Sequence, residues 1–331
     1  MHDFVVVGAG PAGSRFARRA ADRGHDVVVF EGGEIGEPLA CSGHVSLDIW
    51  DYTPEDARAD LFQNDIYGAR FHLGGPGSRE SPFYKDEPVS NAIDRVGLDR
   101  KLAEAARDAG ATVRENHTVT GVTEHDDGVA IDVKGPDGQF SAEASMVAGC
   151  DGPRSRVRDE LGLSDPDELL HGVLGFDEEP DHQDFVDVHL DVPRFFAWRI
   201  PRGEAGVEYG LAAAPGEDVP ERFDDLTSGY GAEITRRCSG AIPIGPPDRV
   251  TSRRGFLIGD AAAQTKPFTG GGILYGMTAA DVAAREIDPG DPASLDAYER
   301  GWREELRSDQ RLGALVRWGY ELPEPIQRAG M

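Results

Sequence analysis

The feature that most constrains this chain is the glycine-rich turn at its start, together with the acid that follows it. Phe4-Val-Val-Val leads into Gly8-Ala-Gly10-Pro-Ala12-Gly13, a helix-like stretch follows, and Val27-Val-Val-Phe delivers Glu31. Strand, GxGxxG turn, helix, and a second apolar strand ending in an acid make a dinucleotide-binding pattern. Gly8 permits the tight turn, Gly10 admits a pyrophosphate to the backbone, and Gly13 lets the helix pack closely on the sheet. Ala12 shares the turn, and Glu31 can accept hydrogen bonds from a ribose diol. The helix N-terminus adds free N–H groups and the positive end of its dipole for the phosphates. A chance glycine turn explains neither the flanking strands nor the acid eighteen residues after Gly13.

The 331 residues suffice for about two domains. Acids outnumber bases 60 to 34, for a net charge of −26, and the only lysines are Lys85, Lys101, Lys134 and Lys266. That balance argues against nucleic acid and against tight docking on anionic lipid. Because the acids are spread along the whole chain, they read as a solvated surface suited to a salt-rich cytoplasm. Cys41, Cys150 and Cys238 lack CxxC spacing, so neither a disulfide frame nor a zinc site is expected, and no metal is expected elsewhere. The first residues run straight into a strand, and no run reaches the roughly eighteen apolar residues of a membrane span. A cytoplasmic protein is therefore expected.

Further along, short strands are expected over 66–73 and 89–94. A helix is expected over 98–109, where Leu98, Leu102, Ala105 and Ala106 recur at helical spacing. Strands over 118–124, 129–133 and 145–149 are punctuated by Asp-Gly turns. From Leu169 to Pro215 the pattern becomes β-rich without helices, and an apolar strand at Gly255 then delivers Gly259-Asp260. The expected class is α/β with an α+β insertion. The expected parts are a discontinuous dinucleotide domain (1–75, 90–165 and 250–290), an inserted antiparallel β-sheet substrate domain (76–89 and 166–249) and C-terminal helices (291–331).

Three segments join the N-terminal fingerprint in carrying a family signal. They are Cys150-Asp151-Gly152-Pro-Arg-Ser155-Arg-Val-Arg158, Gly259-Asp260-Ala-Ala-Ala-Gln-Thr-Lys-Pro-Phe-Thr-Gly270-Gly271-Gly272-Ile273, and Pro38-Leu-Ala-Cys41-Ser-Gly43. With Phe196-Ala-Trp198-Arg-Ile-Pro201, they resemble flavoproteins of the para-hydroxybenzoate hydroxylase-like fold, and among these the geranylgeranyl reductase family. The resemblance implies a Rossmann-like domain holding extended FAD. Asp260 then accepts from ribityl hydroxyls, and the N–H groups of Gly270, Gly271, Gly272 and the Ile273 helix start face the flavin pyrimidine edge. Asp151 and Gly152 supply a second dinucleotide contact, and the Val119 backbone meets adenine. Arg95 points to phosphate or ribityl oxygens, although a surface arginine fits the sequence equally well.

The implied activity is FAD-dependent reduction of carbon–carbon double bonds in a geranylgeranyl or other prenyl chain. The implied substrate is an isoprenoid lipid or a related precursor, with electrons from NAD(P)H or from ferredoxin as a donor protein. Cys41 is the implied catalytic residue, as a proton source. Its alternative is a small buried hydrophobe, since no base or cation near it can be identified in the sequence. Phe196, Trp198 and Pro201 are the implied substrate wall, with core aromatics as the alternative. This chain has Phe196 where the family pattern has tyrosine, and Ile200 in place of a second aromatic. A membrane-borne substrate implies at most peripheral membrane contact, with Leu312, Leu315, Val316 and Trp318 as the candidate stripe; helix packing explains that stripe equally well. Two other activities stay open: an aromatic monooxygenase, whose relatives carry His where Ala263 stands, and an electron carrier to a quinone.

If the acidic surface is an adaptation to salt, the thermal unfolding midpoint should rise as potassium chloride is added. A midpoint that falls or stays level with salt, followed by circular dichroism, would remove that expectation.

Overall fold

The computed structural model describes residues 1–39 and 41–320, with side chains of the last helix described up to 313 and at 317. The first sheet has the order Thr112–Arg114, Val27–Phe30, His2–Val7, Gly138–Gly149, Val129–Gly135 and Thr118–Glu124. The first four strands are parallel, and Gly255–Leu257 adds another parallel partner to the end of Gly138–Gly149. The last two are antiparallel. Phe4 to Val7 and Val27 to Phe30 are all buried, which is why these strands read as unbroken apolar runs without alternation. Helix Pro11–Ala21 packs against Arg95–Asp108 and Ile273–Glu286 beside this sheet. Asp94 caps the middle helix by accepting from the Val96 N–H at 3.1 Å, so that helix starts three residues earlier than the apolar spacing predicts.

The strand expected over 66–73 is Gly68–His72, while Ile66 closes a separate strand before it. Phe62–Ile66 pairs with Ser90–Ile93, which also pairs with His44–Ser46 in a three-stranded sheet. Gly68–His72 instead joins a seven-stranded sheet of order Arg236–Ile244, Glu168–Asp177, Val207–Ala213, Ala197–Pro201, Phe185–His189, Gly68–His72 and Glu80–Tyr84. The expected boundary at 75/76 therefore falls after a strand that hydrogen-bonds within the inserted sheet. Its partner Phe185–His189 lies more than a hundred residues away, and parallel pairing at that range leaves no local trace. Helix Val219–Tyr230, capped by Asp218 and ended by Gly231 at φ +68°, follows the expected β-rich run.

This second sheet has two contrasting faces. On strand Ala197–Pro201, Trp198 and Ile200 share one face with Val186, Val188, Ala69 and Leu174 by register. Ala197, Arg199, Tyr209 and Leu211 point the other way. There Val219, Phe223 and Leu226 of the helix cover an apolar patch. Beside that patch Asp187, 2% exposed, accepts two bonds from Arg70 (2.8 Å each) and one from His72 Nε2 (3.0 Å), with Arg199 3.6 Å away. His189 bridges the Gly74 carbonyl and the Tyr230 hydroxyl. One face is thus locked by ions and a helix, and the other is left for the dinucleotide domain.

Helices Leu295–Glu305 and Arg307–Tyr320 end the described chain, the former anchored by fully buried Tyr298 and Trp302. Leu312 is exposed, whereas Leu315, Val316 and Trp318 lie outside the described side chains. Among the described residues, no helix is long and apolar enough to cross a membrane. Asp187→Ala would leave Arg70 and Arg199 without their shared anion. It should cost about 3–5 kcal/mol, read as a lower denaturant midpoint.

Candidate active site

Gly8 donates to the Phe30 carbonyl at 2.8 Å and holds φ +98°, where a Cβ would lie 2.4 Å from the Cys150 carbonyl oxygen. Turn and strand end therefore meet backbone to backbone. Around Gly10, by contrast, the Cβ position is empty to 4 Å, and helix Pro11–Ala21 starts with no side chain capping its N–H groups. The backbone N–H groups of this helix start are thus open to a ligand. Ala12 lies against Gly259, with 2.9 Å between its methyl and a Cβ built there, so the Gly259-Asp260 turn seats directly on this helix start. Helix Ile273–Glu286 also starts without a side-chain cap at Gly272, beside the Asp260 carboxylate. Two uncapped helix starts from opposite ends of the sequence lie together.

Around them the expected contacts sort differently. Glu31 accepts from Ala9 N at 2.7 Å and Gly33 N at 3.3 Å, which fixes its carboxylate at the mouth of the turn; lone pairs remain for a ribose hydroxyl. Asp151 lies beside the turn, but its side chain is occupied. It accepts from Ser155 Oγ at 2.6 Å and Val157 N at 3.1 Å, organising the start of helix Arg156–Glu160. Gly152, at φ +81°, continues the same bend. Val119 buries its side chain in the first core from an outer strand. Gly270 packs against Ile242 and Phe195, and exposed Gly271 lies beside Thr269 and Lys266.

Arg95 is buried, contrary to the surface alternative, and it pairs with Asp99 one turn along its helix. It lies beside Cys41 and Asp260 as well, and its Nε is buried with no partner. Here is the cation near Cys41 that the sequence does not reveal. Burial pushes the Cys41 thiol pKa up, against the pull of Arg95, so the sulfur keeps its proton. Burial likewise raises Asp260 to about 6, with Arg95 opposing. His44, three residues past Cys41, bonds Ser90 Oγ at 2.7 Å; burial, assisted by Lys266, lowers it to about 4 and keeps it neutral.

Opposite stands the aromatic wall. Phe195 and Phe196 stack with centroids 4.4 Å apart, and Trp198 lies 5.5 Å from Phe196. Phe196 precedes the strand, and buried Pro201 ends it. Trp198 lies over Gly210, where a Cβ would be 2.0 Å from its ring. An apolar cavity of about 340 Å³ opens between the three-stranded sheet and the edge of the second seven-stranded sheet, lined by His44, Ile66, Ala69, Phe83, Val89 and Val186. Glu208, unforeseen in the sequence, sits buried between wall and loop. Its signal was a lone acid in the run Val207-Glu-Tyr-Gly, two residues from the glycine beneath Trp198.

A buried orphan donor on Arg95, an Asp260 carboxylate with no protein donor among the described residues, an open Gly10 and two uncapped helix starts fit an extended dinucleotide. Two family models described as FAD binding domain match residues 3–74 and 87–210. Digeranylgeranylglycerophospholipid reductase of Methanosarcina acetivorans is 30% identical over 96% of this chain and 84% of its own length. The enzyme of that name from Methanothrix thermoacetophila is 32% identical over 92% and 83%. The chain belongs to the digeranylgeranylglycerophospholipid reductase family. Like that family it is an FAD-dependent oxidoreductase. A geranylgeranyl bacteriochlorophyll reductase-like protein from Thermoplasma acidophilum shares the fold with TM-score 0.87, at 22% identity over 97% of this chain and 88% of that one. p-Nitrophenol 4-monooxygenase from Pseudomonas putida shares it more distantly, with TM-score 0.76 at 21% identity over 99% and 91%. The fold thus serves both chemistries, while the sequence relatives belong to the reductases.

Two tests address this cradle. Gly10→Val should leave the melting point nearly unchanged and abolish visible flavin absorbance, whereas Gly8→Ala should lower both, because its Cβ has no room. Asp260 provides a pH signature. A carboxylate with a raised folded pKa makes the apo-protein lose stability as pH rises from about 4 to about 6. Asp260→Asn should remove that component, measured as the wild-type minus variant difference in unfolding free energy across the window.

Proposed function

We propose that this protein reduces isolated carbon–carbon double bonds of a prenyl chain, on an isoprenoid lipid of the kind its relatives' name describes. The observation that carries this reading is the Cys41 thiol, held beside buried Arg95 between the cofactor cradle and an apolar wall. Phosphates would lie on the uncapped helix start after Gly10, a ribose at Glu31, and the ribityl chain near Asp260 and Arg95. Asp151 and Gly152 beside the Gly8 turn, Gly270, Gly271, Gly272 and Ile273 at the second helix start, and the Val119 backbone on its outer strand would supply the remaining cofactor contacts. When bound and reduced, FAD supplies a hydride to one alkene carbon.

An isolated alkene has no carbonyl to polarise, so its second carbon needs a proton almost in concert. Cys41 supports that role better as an acid than as a nucleophile. Its burial keeps the proton on sulfur, and Arg95 stabilises the thiolate left when the proton departs. Phe196, Trp198 and Pro201 line the chain's path, and the neighbouring 340 Å³ cavity is in the range of small-ligand sites. Water is kept from the alkene by this wall. Reducing equivalents come from NAD(P)H or a ferredoxin donor protein, and contact with membrane is at most peripheral.

The test is anaerobic. Protein reduced with dithionite is given a geranylgeranyl lipid, and flavin reoxidation is followed together with product mass. A gain of two mass units per saturated bond is expected, and Cys41→Ala should slow it by about 10²-fold or more while leaving flavin content intact. Flavin that stays reduced in the presence of the lipid would overturn the reading.

A further inference from the structure

Glu208 is 1% exposed and carries the buried carboxylate on the face of the second sheet that meets the dinucleotide domain. Its two oxygens serve two different units. Oε1 accepts from the Trp198 indole N–H at 3.1 Å, and Oε2 accepts from the Gly43 backbone N–H at 3.1 Å. Gly43 is two residues past Cys41, and it is held from its other side too. Its carbonyl accepts from Ile93 N at 2.9 Å, and a Cβ on it would lie 2.3 Å from the Ile93 carbonyl. Trp198 is pinned likewise, with its ring filling the space above Gly210.

Burying a carboxylate here is costly, and the strand itself does not need one. What two N–H donors from two separate elements do need is a side chain with two independent acceptors. A glutamine offers one acceptor oxygen, and its amide N–H groups would face a donor. We infer that Glu208 is a positioning residue that ties the Cys41 loop to the Trp198 wall, so that the proton donor and the surface carrying the alkene are set by one side chain. For turnover, this rests on the prenyl-reductase reading; the mechanical coupling does not.

The coupling is read from thiol chemistry in the FAD-loaded protein. Cys41 alkylation by iodoacetamide is timed by mass spectrometry, with Cys150 under the Gly8 turn as the internal control. Trp198→Phe keeps a ring over Gly210 and removes the N–H; Glu208→Gln removes an acceptor. Each should speed Cys41 alkylation about tenfold, as expected for loss of a charge-assisted hydrogen bond holding the loop closed, with Cys150 unchanged. The double variant should be no faster than the faster single one, since both act through one link. An unchanged Cys41 rate in Trp198→Phe, or effects that simply multiply, would overturn the inference. Should Glu208→Gln fail to retain flavin, Trp198→Phe alone decides it. In the anaerobic assay Glu208→Gln should lower the single-turnover rate about tenfold and accumulate partly saturated lipid at unchanged KM; a wild-type rate and product pattern would overturn the positioning role. A wild-type protein that leaves the lipid unreduced removes the reductase reading, while the alkylation result still stands for the coupling.

Discussion

The rest of the molecule depends on a place where backbones touch without side chains between them. The Gly8 turn rests on the Cys150 carbonyl, Gly13 on the Gly8 carbonyl, and the Gly259 and Gly276 backbones on each other and on Ala12. These contacts draw together segments from the start, middle and end of the chain. They also bring two helix starts side by side with their N–H groups unspent. Packing this close leaves no room for adjustment, so the position of the cofactor cradle is set by sterics before any ligand arrives. Asp260, Arg95 and Cys41 then take their places relative to that fixed seat.

The second sheet solves a different problem. It must offer an apolar wall on one face without losing its own rigidity, and it does so by placing its polar chemistry behind the wall. Asp187, Arg70, Arg199, His72 and His189 form a buried ionic cluster on the rear face, next to the helix that covers the rest. Strand alternation separates the two roles at single-residue spacing: Trp198 faces the site and Arg199 faces the cluster. Glu208 is a buried charge on the apolar side, near Arg202 and opposite Phe176, and its carboxylate joins the two halves.

How much of this was legible depended on whether the signal was local. The N-terminal fingerprint, the body of the helix expected over 98–109 and the strand at 118–124 stand out because turns and periodicity are written in adjacent residues, whereas the Asp94 cap that starts that helix earlier was not read. The division of 62–72 between two sheets was not, since it is decided by pairing with Phe185–His189 far along the chain. The site shows the same split. Gly8, Gly10 and Asp260 were readable from their motifs, whereas the neighbour of Cys41 was not, because Arg95 reaches it only through tertiary packing. Asp151 shows the converse case. It sits where the motif places it, but its carboxylate organises a helix start.

The uncapped helix starts have a consequence for a chain that carries 26 surplus negative charges and yet must hold a negatively charged pyrophosphate. Repulsion from the surface acids is long-ranged and fades in salt, within about 8–10 Å at physiological ionic strength and less in brine. Attraction from a helix terminus is short-ranged, delivered by N–H groups in contact with the ligand. Added salt therefore weakens the force that expels the dinucleotide far more than the force that retains it. With the pyrophosphate placed on those helix starts as proposed, brine would favour cofactor retention.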